Sequence, residues 1–179
     1  MTCLPIFISK AFYTFFIPFI SFVKILLNKT IQYRLKEIMS VRFYQEIPIT
    51  LKNRKGLKAF ILYIFQKEKR PVDSLRIIFC PDAYLLKINK EFLKHNDFTD
   101  VITFELSEDL STTSGEIYIS VDRVKENATI LNLSFTSEIH RVIFHGVLHL
   151  CGYNDKSALD ISQIRKKEDY YLTRYFSAD

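Results

Sequence analysis

His145 and His149 stand four residues apart in the run H-G-V-L-H-L-C-G-Y-N-D, which extends from His145 to Asp155. On a helix that spacing puts two imidazoles on one face, one turn apart, where both can converge on a single ion. Gly152 then breaks the helix and lets the chain turn back. Asp155, six residues after His149, can reach the open side of the metal, and a carboxylate oxygen is an acceptable zinc ligand. Three protein ligands with a fourth position left for water is the pattern of a catalytic zinc site, one ion per chain. Such a site acidifies water toward a pKa of about 7 and polarises a substrate oxygen, which points to a hydrolase. The same spacing also arises as two half-buried histidines that are merely hydrogen-bonded, so the glycine break and the following acid carry the argument. Gly146 occupies the place where H-E-x-x-H peptidases carry their general base, which disfavours a peptidase.

The other reactive side chains are less telling. His140 falls on another side of the helix from His145 and is expected at the surface or behind the ligands. His95, in the polar stretch Lys94-His95-Asn96-Asp97, is a candidate substrate contact or an ordinary loop residue. Cys3, Cys80 and Cys151 are odd in number and form no C-x-x-C pair, so a reducing compartment fits best. Cys80 and Cys151 read as core thiols.

The elements that must position this cluster are visible in the apolar periodicity. Strands are expected over Ser40–Thr50, Leu75–Cys80, Asp100–Leu106 and Gly115–Val121, with a polar loop Ser107–Ser114 between the last two. Helices are expected over Asn53–Lys69, from Pro81 to about Lys94, from Asp122 onward with that carboxylate as cap, over Ser134–Leu150, and over Ala158–Tyr175. Ser134 or Thr136 can cap the histidine helix. The order lacks strict βαβ alternation and predicts an α+β fold: a small mixed sheet packed with helices, the metal site at the end of a central helix.

A chain of 179 residues with 48% hydrophobic residues affords one domain. Its net charge of +5 is concentrated in residues 1–38, which hold five Lys/Arg against Glu37; beyond them stand 20 basic and 19 acidic side chains. Any nucleic-acid contact by the body of the protein is therefore expected through a local patch, not a broad positive field. Between Lys10 and Lys24 lie 13 uncharged residues, short of the roughly 20 that span a bilayer. The stretch resembles a signal-peptide start without a convincing cleavage site. Residues 1–38 read as an apolar, basic extension, an anchor or a mis-assigned start with translation beginning at Met39. Residues 39–179 read as a single domain with no stable membrane association.

Three blocks resemble the YbeY family of ribosomal-RNA maturation factors. Phe98-Thr99-Asp100-Val101-Ile102-Thr103-Phe104 resembles P-T-D-V-L-S-F, Gly115-Glu116-Ile117-Tyr118-Ile119-Ser120 resembles G-D-I-x-I-S, and His145–Asp155 resembles H-G-x-L-H-L-x-G-Y-D-H. The resemblance implies a zincin-like fold, one zinc ion, and a cytoplasmic, single-strand-specific, metal-dependent endoribonuclease acting in small-subunit ribosomal-RNA maturation and ribosome quality control. Its partner would be ribosomal RNA in the small subunit. Three positions depart from the family pattern. Asp155 stands where the family has its third histidine, Asn154 where it has an acid, and Leu93 where an arginine is usual, with Lys94 or Lys90 as substitutes. Asp100, with Thr99 beside it, and Arg141, one turn before His145, are candidates for the cleft. The alternatives for Arg141 and Thr99 are a surface salt bridge and a strand-opening cap. Rival readings are a ribosome-assembly factor with a structural zinc and a metal-dependent hydrolase of another substrate.

Overall fold

The computed structural model describes residues 40–94, 96–107 and 111–177. All of them belong to one compact unit, Met39–Asp179. The extension expected over residues 1–38 and the candidate contact His95 lie outside the described residues.

Four strands form one sheet in the order β1-β2-β4-β3: β1 (Ser40–Gln45), β2 (Val72–Cys80), β3 (Val101–Glu105) and β4 (Thr113–Ser120). β1 and β4 run parallel to β2, and β3 closes the far edge antiparallel to β4. β2 is central and covered on both faces, so its second half, Ile77-Ile78-Phe79-Cys80, is buried without interruption. The mixed sheet packed with helices is the α+β architecture expected.

The helices are α1 (Arg54–Lys67), α2 (Asp82–Ile88), α3 (Val121–Ile130), α4 (Phe135–Leu150) and α5 (Ala158–Phe176), with one π-helical turn, Asn89–Leu93, after α2. One face of the sheet, through Leu75, Ile77, Phe79, Ile117 and Ile119, builds the main core with α1, α4 and α5. The other face holds a smaller cluster, Cys80, Leu85, Ile88 and Ile102, under α2. No helix among the described residues is long and apolar enough to cross a membrane.

Several boundaries differ from the sequence expectation, each for a local reason. β1 stops at Gln45 rather than Thr50, because the Gln45 side chain donates to the Ile49 carbonyl at 2.8 Å and folds the chain back. β2 begins at Val72, three residues early, its polar start Val72-Asp73-Ser74 paired with Thr113 and Ser114 across an irregularity. Asp122 caps a helix other than the expected one. Ser120 caps α3, accepting from the Arg123 amide at 3.2 Å, while Asp122 accepts from the Asp82 amide at 3.0 Å in the first turn of α2. Arg123 returns the tie by pairing with Asp82 at 2.8 Å, so α2 and α3 are locked end to end.

Candidate metal centre

α4 begins at Ser134, whose hydroxyl accepts from the Ser137 amide at 3.0 Å, and it lies on the sheet along Ile139, Val142, Ile143 and Val147. Its approach to β4 is close at Gly146, where an added Cβ would stand 2.7 Å from Ile117 Cγ2. The glycine that replaces a peptidase's glutamate therefore faces the sheet, and the helix carries His145 and His149 on its partly exposed flank.

The end of α4 orients the second histidine. Gly152 adopts φ +96°, a left-handed conformation that suits glycine. It lets the Tyr153 amide donate back to the Leu148 carbonyl at 3.0 Å. The Tyr153 carbonyl is thereby turned toward His149 and accepts from Nδ1 at 2.9 Å. Two residues later Asp155 points back at both rings, and a reciprocal capping box between Ser157 and Asp160 starts α5. α5 then brings Glu168 against His145, Nδ1 to Oε1 at 2.8 Å.

These bonds fix the proton positions. A carbonyl and a carboxylate only accept, so both rings carry their proton on Nδ1, and both Nε2 atoms present lone pairs. The two Nε2 atoms face each other at 2.8 Å. Two lone pairs directed at one point repel unless a cation lies between them. Asp155 Oδ2 stands 3.9 Å from Nε2 of His145 and 3.7 Å from Nε2 of His149, and the three donor atoms lie within 4.8 Å of one another. Tetrahedral zinc with bonds of about 2.0–2.2 Å spaces its ligands by roughly 3.2–3.6 Å, so the group fits one such ion after small adjustments. Burial, and then the neighbouring His145, hold His149 below its ordinary pKa against the opposing pull of the Tyr153 carbonyl. The neutral, ligating form is favoured.

Two of the donors, His145 and Asp155, line a cleft of about 390 Å³. Of the sequence candidates, Asp100 and Arg141 line it together with His145 and Asp155; Lys94 and Thr99 do not. Thr99 donates to the Val101 carbonyl at 3.3 Å, a strand-opening contact, and Asp100 accepts from Asn127 at 3.1 Å. Arg141 is tied to Glu138, Glu168 and Asp169 at 3.6, 3.3 and 3.1 Å. His140 is buried against Tyr175, rings 4.9 Å apart, instead of at the surface. Cys151 is half-buried, and burial pushes its thiol up to about 12, which keeps it neutral as expected of a packing residue. A roomier hollow of about 880 Å³ near Phe60, Tyr63 and Tyr170 is reached by Asp169 but by none of the three metal donors.

Two buried carboxylates of the cleft escaped the sequence reading. Glu168 is 2% exposed and shares a helix face with Ile164, Tyr171, Leu172 and Tyr175. Glu138 is 3% exposed, two turns before His145 on α4. Each is a carboxylate on an otherwise apolar stripe, and that pattern was their available signal.

Residues 40–176 match the family model described as Endoribonuclease YbeY. The chain belongs to the YbeY family. A protein of Amoebophilus asiaticus named Endoribonuclease YbeY is 43% identical over 130 residues, covering 73% of this chain and 88% of that one. Another of that name, from Cytophaga hutchinsonii, is 40% identical over 139 residues, covering 78% and 97%. The solution structure of TM1509 from Thermotoga maritima superimposes with a TM-score of 0.55 at 29% identity, covering 78% of this chain and 91% of that one. The YbeY resemblance read from the three sequence blocks is thus confirmed.

Proposed function

We propose that this YbeY-family chain is a zinc-dependent, single-strand-specific endoribonuclease that works on small-subunit ribosomal RNA in the cytoplasm, in maturation and ribosome quality control. The observation that carries the metal is the pair of Nε2 lone pairs facing each other at 2.8 Å beside Asp155. Membership in a family whose relatives are named endoribonucleases supports RNA as the substrate.

His145, His149 and Asp155 would hold the ion. Bound there, zinc supplies Lewis acidity toward a phosphoryl oxygen and acidifies water. The remaining work falls to the protein. Glu168 and the Tyr153 carbonyl hold each ring by its Nδ1 proton, so that only Nε2 is offered. Glu168 also takes a share of Arg141, so the guanidinium stands in the cleft at a fixed place beside the ligands. Arg141 and Arg165 both line the cleft and can meet a phosphate there, Arg141 in exchange for part of its contact with exposed Asp169 and Arg165 from a single 3.9 Å contact with Glu168.

The test is metal analysis with RNA cleavage on the purified protein. About one zinc per chain and cuts in single-stranded, not duplex, ribosomal-RNA fragments are expected, with both lost in His145→Ala and His149→Ala. Full metal occupancy in either variant would place the ion elsewhere, and metal-loaded protein that leaves RNA intact would remove the nuclease reading.

A further inference from the structure

On the sheet face opposite α4, α2 is only seven residues long and covers Cys80, Leu85, Ile88 and Ile102. Beside this cluster β3 and β4 present half-buried Phe104 and Tyr118, and α2 and the π-helical turn after it add Tyr84 and Phe92. Tyr84 is 43% and Phe92 61% exposed. The rings form a continuous ribbon: Tyr84 to Tyr118 at 6.4 Å, Tyr118 to Phe104 at 5.9 Å, Phe104 to Phe92 at 5.7 Å. The first contact is stacked, at 28°, and the last two are edge-to-face, at 84° and 71°, so each contact uses one side of a ring and the exposed sides of Tyr84 and Phe92 remain open to solvent. They border an open hollow of about 500 Å³.

Charge around the ribbon is uneven. Glu116, the acid on the strand, is taken up by Arg76 at 2.5 Å and by the Tyr118 hydroxyl at 2.8 Å. Lys87, which lines the hollow, and Lys90 and Lys94 further along the same segment are exposed. None of the three forms an ion pair among the described residues, and Glu91 is the acid beside them. Open aromatic faces with neighbouring cations are the two requirements for sequence-tolerant binding of single-stranded nucleic acid, since every base has a π-face and every linkage a negative charge.

We propose that Tyr84, Phe92, Phe104 and Tyr118, with Lys87 and Lys90, form a shelf on which unpaired RNA bases stack outside the metal cleft. The proposal rests on RNA being the substrate. It gives Lys90, and Lys94 beyond it, a place on the substrate's path away from the metal ligands. The cleft then cuts while the shelf holds flanking single strand.

Both exposed rings can be truncated with little effect on packing, so Tyr84→Ala/Phe92→Ala tests the shelf in the full chain. Binding of a fluorescein-labelled single-stranded 16-mer RNA to metal-free protein is read by anisotropy. The double variant is expected to bind at least about tenfold more weakly, given roughly five- to one-hundred-fold per stacked base. Tyr84→Phe/Phe92→Tyr should bind like wild type, and Lys87→Gln/Lys90→Gln should flatten the salt dependence. With metal, the double alanine variant should raise KM for the 16-mer and leave cleavage of a dinucleotide unchanged. Unchanged 16-mer binding overturns the shelf, as does equal loss on both substrates. Sedimentation showing a wild-type dimer that the variant dissociates, with RNA binding intact, assigns the face to a second copy instead. Wild-type protein that binds the 16-mer through these rings but cuts neither RNA would overturn the nuclease reading and leave the shelf standing.

Discussion

At the scale of single residues, the candidate site depends on atoms outside its three donors. Glu168 holds His145 by its Nδ1 proton, so Glu168→Gln is expected to weaken zinc binding about 10- to 100-fold, measured by competition with a chromogenic chelator. Asp155→Ala should weaken it further by leaving two imidazoles, whereas Asp155→His should restore a three-donor site; equal affinity in wild type and Asp155→Ala would remove Asp155 from the set. Glu138 bears on stability. Burial raises its pKa above the usual carboxylate value despite the attraction of Arg141. The folded state therefore binds this proton more tightly than the unfolded chain, and stability is lost as pH rises through about 4.5 toward the folded value. Glu138→Gln, which removes that charge, is expected to raise Tm at pH 7 and to have little effect near pH 4. A lower Tm at pH 7 would show that the Arg141 contact outweighs burial. A carboxylate kept in a cleft at the expense of stability is more simply explained by work in that cleft than by folding.

At the scale of elements, the sequence was most legible where periodicity and punctuation agreed. The histidine helix, with Ser134 before it and Gly152 after it, was expected over Ser134–Leu150 and spans Phe135–Leu150. Strand ends were less legible, because in Val72-Asp73-Ser74 a single apolar residue is followed by two polar ones and the stretch is held by pairing with β4. The cap at Asp122 was misplaced because its acceptor serves a helix 40 residues away in sequence, which no local pattern records. Glu168 lies 23 residues beyond His145, and only the return of α5 joins them. The seating of α4 on β4 gives a direct test. Gly146→Ala would force Ile117 to shift and should cost about 1–3 kcal/mol, seen as a lower midpoint in urea. Adding Ile117→Ala makes room, so the double variant should lose less than the two single losses together. Strict additivity would mean that the two positions do not meet.

At the scale of the whole molecule, proton uptake links the core to the site. Glu68, at the end of α1, is held below the usual carboxylate value: burial alone would raise it, but hydrogen bonds from Lys167, Tyr171 and Tyr153 outweigh that. Lys167 and Tyr153 reach it at 2.8 Å each, and Tyr171 also donates. This network ties α1 and α5 to the loop whose carbonyl holds His149. A carboxylate with a lowered folded pKa contributes stability that is present above about 4.5 and is lost as pH falls through the folded value. His149, also lowered in the fold, behaves alike in a higher window. As pH falls below about 6.5 the unfolded chain takes up this proton first, and stability drops until the folded ring is protonated as well. Metal-free protein should therefore lose Tm in two stages on acidification, one beginning near pH 6.5 and one below about 4.5. Glu138 opposes the second stage, since its proton favours the folded state as pH falls. Zinc should deepen the first stage, because protons and metal compete for the same nitrogen. His149→Gln should abolish the first stage and Glu68→Gln the second, each leaving the other in place, in thermal melts from pH 8 to pH 3. A Tm that stays flat between pH 7 and pH 5 in the metal-free wild type would mean that His149 titrates in the folded protein as it does in the unfolded chain.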